Sequence, residues 1–134
     1  MNQIIFDKIS DQRGHLISLE VGKNIPFEIK RVYYLYGLSD KPRGFHAHLK
    51  LKQFLICING SCKIVLNNGF SSSEVFLQNP NEGIFLDNFL WHEMHNFSKD
   101  CVLLILASEL YDENDYIRNY DDFLKITKER GIIE

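Results

Sequence analysis

Three histidines carry the most chemical promise in this chain. His46 and His48 stand two apart in the stretch Arg43-Gly44-Phe45-His46-Ala47-His48. Residues two apart on an extended strand face the same side, so both imidazoles enter one space. An imidazole with its ordinary pKa of about 6.5 takes up and returns a proton near neutral pH. Two of them can divide a proton transfer, one serving a carbon and the other an oxygen. Around His92, alternation puts His92, Met94 and Asn96 on one face and Trp91, Glu93 and His95 on the other. His92 is therefore the expected third member, and His95 is not. A purely structural role for paired inward imidazoles is disfavoured, because burying them without a task costs desolvation.

These residues need strands to hold them, and the sequence supplies strand signals throughout. Runs rich in β-branched, aromatic and aliphatic residues cover 29–36, 53–58, 61–66, 74–77, 83–86, 90–97 and 101–108. Turn residues separate them: Gly37, Asn59-Gly60, Asn67-Asn68-Gly69, Asn79-Pro80-Asn81 and Ser98-Lys99-Asp100. Asn59-Gly60 between two such runs predicts a β-hairpin. If His46 and His48 point inward, unbroken alternation would also bury Lys50 and Lys52. A bulge or bend between His48 and Gln53 restores the phase and turns Gln53, Leu55 and Cys57 inward. Past residue 111 the pattern becomes helical. Asp112 is the expected N-cap, Ile117, Tyr120, Phe123 and Leu124 recur at helical spacing, and Gly131 is the expected stop. The expected class is all-β, a small sandwich or barrel with a short C-terminal helical segment.

Composition narrows the partners. The chain has 134 residues, 45% of them hydrophobic and 25% charged, which suits one folded domain. Its net charge of −3 argues against a nucleic-acid binder, which needs a surplus of Lys and Arg. The longest apolar run, Cys101 to Ala107, is far below the ~20 residues that cross a bilayer, and charges at Asp7, Lys8, Asp11 and Arg13 leave no secretory core. Cys57, Cys62 and Cys101 are odd in number, without a C-x-x-C, and sit in apolar runs. They read as reduced core thiols of a cytoplasmic protein.

The order His46-x-His48, four residues, Gln53, six residues, Gly60, followed by Pro80, Gly83, His92 and Asn96, resembles the two cupin motifs. That resemblance implies a cupin jelly-roll barrel. Gln53 stands where a metal-binding cupin has a glutamate, and a neutral amide is a poor ligand for a divalent cation. Three histidines alone still suffice for some catalytic metals, so a metal-dependent cupin enzyme, an oxygenase or an epimerase, is the competing reading. A sugar-binding cupin without turnover is the non-enzymatic one.

Over nearly its whole length the chain also resembles the nucleotide-sugar 3,4-ketoisomerases, which act on dTDP-4-keto-6-deoxy-D-glucose in deoxyaminosugar pathways. The matching segments are Arg13-Gly14, Asn24 to Phe27, Ile29 to Tyr34, Pro42 to His48, Asn59-Gly60, Trp91 to His95, Leu106 to Ser108, Tyr111-Asp112 and Asp115 to Arg118. The resemblance implies a homodimer with exchanged N-terminal strands and no metal or other cofactor. On that reading His48 is expected to be the carbon base, with His46 its orienting or oxygen-side partner, an order that is reversible. Tyr33, Arg43 and His92 are expected to steady the enediolate. Arg13, Arg31 and Arg43 are expected at the diphosphate, which suits guanidinium forks. Gln53 is expected beside the substrate, and His15 with His92 where the stereochemistry at C4 is set. The residues that hold thymine, and whether the product is galacto or gluco, are not specified.

Overall fold

The computed structural model describes residues 2–133. Twelve strands form first: β1 (Gln3–Ile5), β2 (Ile9–Asp11), β3 (Gly14–Leu16), β4 (Arg31–Leu35), β5 (Arg43–His48), β6 (Gln53–Asn59), β7 (Cys62–Asn67), β8 (Ser72–Leu77), β9 (Glu82–Leu86), β10 (Trp91–His95), β11 (Val102–Ala107) and β12 (Tyr116–Ile117). Helix α1 (Tyr120–Ile133) closes the chain. Two five-stranded antiparallel sheets face each other, ordered β1-β9-β6-β11-β4 and β12-β5-β10-β7-β8. From β4 to β7 and from β8 to β12 successive strands change sheet, which is the winding of a jelly roll.

The space between the sheets is filled by Leu55, Ile64, Leu66, Leu77, Ile84, Leu103 and Ile105. A second apolar layer lies outside the first sheet. There Phe6 and Ile25, with Phe27 and Ile29 at its edge, cover Phe54, Ile56 and Leu106. β6 is thus buried on both faces, which explains why its sequence is a continuous apolar run and not an alternating one. The helix packs on the outside of the other sheet, with Phe123 against Trp91, Ala47 and Ile117. Among the described residues no helix is long and apolar enough to cross a membrane.

Three local expectations need correction. Asn59-Gly60 is not a hairpin: β6 and β7 lie in different sheets, and the turn is a corner between them. Gly60 (φ +75°) is required there because an added Cβ would lie 2.9 Å from the Cα of Cys101. The hairpin is the next turn, where Asn67 pairs with Ser72. Asp112 caps only a single 3-10 turn over Glu113–Asp115, accepting from the Asn114 N–H. The helix starts eight residues later, where Asn119 accepts from the Asp122 N–H, and it runs through Gly131 to Ile133. Ile117 belongs to β12, which adds to the edge of β5. Pairing with β5 overrode the helical spacing that Ile117 shares with Tyr120 and Phe123.

Candidate active site

β5 and β10 place the three histidines. His46 pairs with His92 across the ladder, and His48 follows two residues on. Ring centroids lie 4.9 Å apart for His46 and His48, 4.7 Å for His46 and His92, and 6.0 Å for His48 and His92. Trp91, Glu93 and His95 form a chain on the other face, with Trp91 Nε1 and His95 Nε2 both 2.9 Å from the Glu93 carboxylate. Alternation assigned both faces of β10 correctly.

A break in the ladder brings Arg43 to the same wall. Met94 pairs with Arg43 and Glu93 with Gly44, but His92 pairs with His46, so Phe45 is an extra residue. Gly44 (φ +92°) and Phe45 (φ +61°) both take left-handed conformations to make this bulge. Arg43 and His46, three apart, would face opposite ways on a regular strand; the bulge turns both toward the cavity. The irregularity expected between His48 and Gln53 is instead a change of sheet. It has the expected result, since Gln53 and Leu55 line the cavity and Cys57 is buried in the core.

The cavity holds ≈ 230 Å³ and is lined by Arg31, Tyr33, Arg43, His46, Gln53 and His92 over a floor that includes Leu55, Leu86, Met94 and Ile105. Tyr33 is fixed by Gln53, whose Nε2 donates to its hydroxyl oxygen at 2.7 Å. That leaves the Tyr33 O–H free to donate to a ligand. Burial raises the Tyr33 pKa, so the hydroxyl keeps its proton. The Arg31 guanidinium lies 4.9 Å from the Tyr33 ring and 5.8 Å from that of Tyr111, which also lines the cavity.

The tautomers follow from the backbone. A carbonyl can only accept, so His46 Nδ1, 3.0 Å from the Gly44 carbonyl, carries the ring proton. Its Nε2 is then the free base. The same reasoning holds for His92, whose Nδ1 lies 3.3 Å from the Leu90 carbonyl. His48 is placed differently. It is 3% exposed, does not line the cavity, and neither ring nitrogen has a hydrogen-bond partner. It sits behind His46 and under the Tyr116 ring, 4.4 Å away. Of the two histidines of β5, His46 and not His48 is the imidazole that meets the cavity.

His46 suppresses the protonation of both other imidazoles. Burial first, then the neighbouring His46 and His92, lower His48 to about 3. Burial and His46 lower His92 to about 3, and burial lowers His46 as well. All three are neutral bases at pH 7, and their pKa values lie below the ordinary 6.5 expected from residue type. An unfolded histidine binds its proton near pH 6.5, whereas folded His48 and His92 do so only near pH 3, so acid favours the unfolded chain in that window. Stability is expected to fall as pH drops below about 6.5, and a melting-temperature series should show a shallower acid slope for His48→Asn.

Asp115, the last residue of the 3-10 turn, is a neighbour of the site to which the sequence analysis gave no role. Its carboxylate accepts from the Lys50 and Leu51 N–H groups at 2.8 and 3.1 Å and lies 3.5 Å from His48 Nδ1. It ties the β5–β6 crossing to the turn before β12. Tyr116 was missed too: its ring meets both His46 and His48 edge-on and carries Arg118 4.2 Å from its centroid. The only signal was that both lie in the segment Asp115 to Arg118 that resembled the ketoisomerases. Besides His48, two further expected site residues are not brought to the cavity within the chain. Arg13 and His15 lie on the β2–β3 hairpin, whose strands are exposed at every residue. Arg13 pairs with Asp11 at 2.5 Å, and His15 Nδ1 meets Ser10 Oγ at 2.7 Å.

A jelly roll with a wall of neutral imidazoles, a tyrosine and arginines is a cupin equipped for proton transfer on a small polar ligand. The family model "FdtA: WxcM-like, C-terminal" matches residues 1–128. A TDP-4-oxo-6-deoxy-alpha-D-glucose-3,4-oxoisomerase of Aneurinibacillus thermoaerophilus is 53% identical over 126 residues, 92% of this chain and 91% of its own. A 3,4-ketoisomerase of Helicobacter canadensis superposes with a TM-score of 0.91 at 51% identity, covering 94% of this chain and 96% of that one. QdtA, a sugar 3,4-ketoisomerase of Thermoanaerobacterium thermosaccharolyticum solved in complex with TDP, gives 0.92 at 47% identity over 96% and 94%. The chain belongs to the FdtA family of nucleotide-sugar 3,4-ketoisomerases, which are intramolecular oxidoreductases.

Proposed function

We propose that the protein moves the ketone of dTDP-4-keto-6-deoxy-D-glucose from C4 to C3 in the making of deoxyaminosugars, with His46 as the carbon base. The observation that carries this is the free Nε2 of His46 on the cavity wall, its tautomer set by the Gly44 carbonyl. Nε2 takes the proton from C3, the electrons move through an enediolate, and the imidazolium returns a proton to C4. The hydroxyl proton must move from O3 to O4 in the same cycle. His92 Nε2 accepts it from O3 and hands the same proton to O4, while the Tyr33 O–H donates a hydrogen bond on the other side and keeps its proton, which divides carbon and oxygen work as two imidazoles on one wall allow. Arg43 and Tyr33 supply the positive ends that developing enediolate charge requires. Arg31, with Arg43, suits the diphosphate.

No step in this cycle needs a metal. His46, His48 and His92 do place three nitrogens within 4.8 Å of one another, a set able to hold an ion. Gln53, however, is turned to Tyr33 and offers no carboxylate. Turnover is expected to survive exhaustive dialysis against a chelator unchanged. Activity restored only by added iron or zinc would favour the metal-dependent reading. The reaction itself is tested by proton NMR of the 4-keto sugar nucleotide with enzyme in deuterated water. Deuterium entering at C4 with loss of the C3 proton is expected, and the C4 coupling then gives the product configuration; no exchange at either carbon would reject the proposal.

The same reading makes the protein a cytoplasmic homodimer. The β2–β3 hairpin presents Ile9 and Leu16 to solvent, and edge strand β4 presents Val32 and Tyr34. Within the chain β1 already pairs with β9, which leaves the hairpin as the part available for exchange. A hairpin docked on a partner would carry Arg13 and His15 toward the partner's cavity. Sedimentation of the intact chain as a monomer at micromolar concentration would rule this out.

A further inference from the structure

All three cysteines of the chain meet at one point. Cys57 near the end of β6, Cys62 at the start of β7 and Cys101 just before β11 have sulfurs within 4.8 Å of one another. Cys57 and Cys101 are 3.7 Å apart. They are 1–2% exposed. The Gly60 corner makes this convergence possible by letting the 59–61 turn pack directly on Cys101. The cluster lies toward the other end of the barrel from the imidazoles, about 13 Å along β6 from Gln53 at ~3.3 Å per residue. The proposed reaction does not use it.

Three sulfurs bound about 2.3 Å from one centre in a pyramidal arrangement lie about 3.5–3.8 Å from each other, so Cys57 and Cys101 already have that spacing and Cys62 has only to draw in by about 1 Å for the cluster to share an ion. Charge decides which ion. The walls are apolar, with Leu77, Leu103 and Phe97 in the same packed group. The charged side chain acting on Cys57 and Cys101 is Asp100, itself an anion. Three thiolates around a monovalent ion leave two buried negative charges, and around a divalent ion one, with a coordination position unfilled. Around a trivalent ion the complex is neutral, and a neutral group is the one this environment admits without a desolvation penalty.

We propose that Cys57, Cys62 and Cys101 form a binding site for one trivalent thiophilic ion of the arsenite class. Arsenous acid and three thiols give an arsenic tris-thiolate and three waters: three As–O and three S–H bonds break, three As–S and three O–H... bonds form, and arsenic stays trivalent, so no oxidant or reductant is needed. Entry is through the turns at Asn59 and Asp100, which are exposed, so loading is slow compared with binding to a surface dithiol.

The test is a titration of the reduced full chain with sodium arsenite. Native mass spectrometry is expected to show one arsenic per chain, and arsenic X-ray absorption three sulfur neighbours. Cys62→Ala is expected to weaken binding at least about 100-fold, the upper end of what losing even an outer-shell partner costs a metal site. His46→Asn should bind arsenite as the parent does, which separates this site from the imidazoles. No bound arsenic, oxygen or nitrogen in place of sulfur, or full affinity in Cys62→Ala would overturn the proposal. So would uptake of cadmium or cuprous ion by a chain that refuses arsenite. If Cys62→Ala does not fold, the sulfur count on the parent chain decides.

Discussion

His46→Asn is expected to lower kcat by about 10²–10⁴-fold, the range for removing a positioned general base, while leaving TDP affinity within a few-fold of the parent. The amide cannot accept a carbon-bound proton, yet it is close in size to the ring it replaces and leaves Arg31, Arg43 and Tyr33 in place to bind the nucleotide. Steady-state kinetics with binding calorimetry checks both halves. His48→Asn is the necessary comparison. His48 is sealed behind His46 without a hydrogen-bond partner, so its loss acts by letting His46 shift. That costs no more than about 10²-fold, the price of misplacing a reacting group by roughly 1 Å. If His48→Asn proves the more damaging of the two, the assignment of the base must be reversed. A mutant of QdtA has been solved in complex with TDP-4-keto-6-deoxyglucose, which shows that a substituted member of the family still holds this ligand.

Gly44→Ala is expected to have the second-largest effect, although residue 44 offers no side chain to the chemistry. At φ +92° an added Cβ would stand 2.9 Å from the His92 carbonyl oxygen and 3.2 Å from the Glu93 Cα. Both contacts are backbone, so neither can swing away. The strand must either lose its bulge or part from β10. Either outcome moves the Gly44 carbonyl that sets the His46 tautomer and turns Arg43 off the cavity wall. A stability loss of about 1–3 kcal/mol is expected from the conformational strain, and kcat should fall by about 10²-fold or more in the protein that still folds. Chemical denaturation and kinetics on the same preparation separate the two effects. Unchanged kcat in a folded Gly44→Ala would show that the bulge does not serve catalysis.

Much of the site was legible because β-strands have a period of two. That period put His46 with His48, chose His92 over His95, and paired Trp91 with Glu93 on the outer face. It also failed in informative places. Alternation forbids Arg43 and His46 from sharing a wall; they do so only because Gly44 and Phe45 adopt left-handed conformations, which the glycine hinted at and the phenylalanine did not. Asn59-Gly60 has the residues of a hairpin turn, but a turn's sequence does not say whether its flanking strands pair or pass to opposite sheets. Ile117 fitted a helix by spacing, and the open edge of β5 claimed it for a strand.

The sequence by itself determined the classes of residue available, the strands that carry them and which face of each strand they share, because those follow from local sterics and from the spacing of apolar and polar side chains. Tertiary structure alone decided which imidazole meets the cavity, how far all three are held from protonation, and that three distant cysteines converge. Each of these depends on what lies across the barrel, and distances between strands remote in the chain are set by packing, which local pattern does not encode.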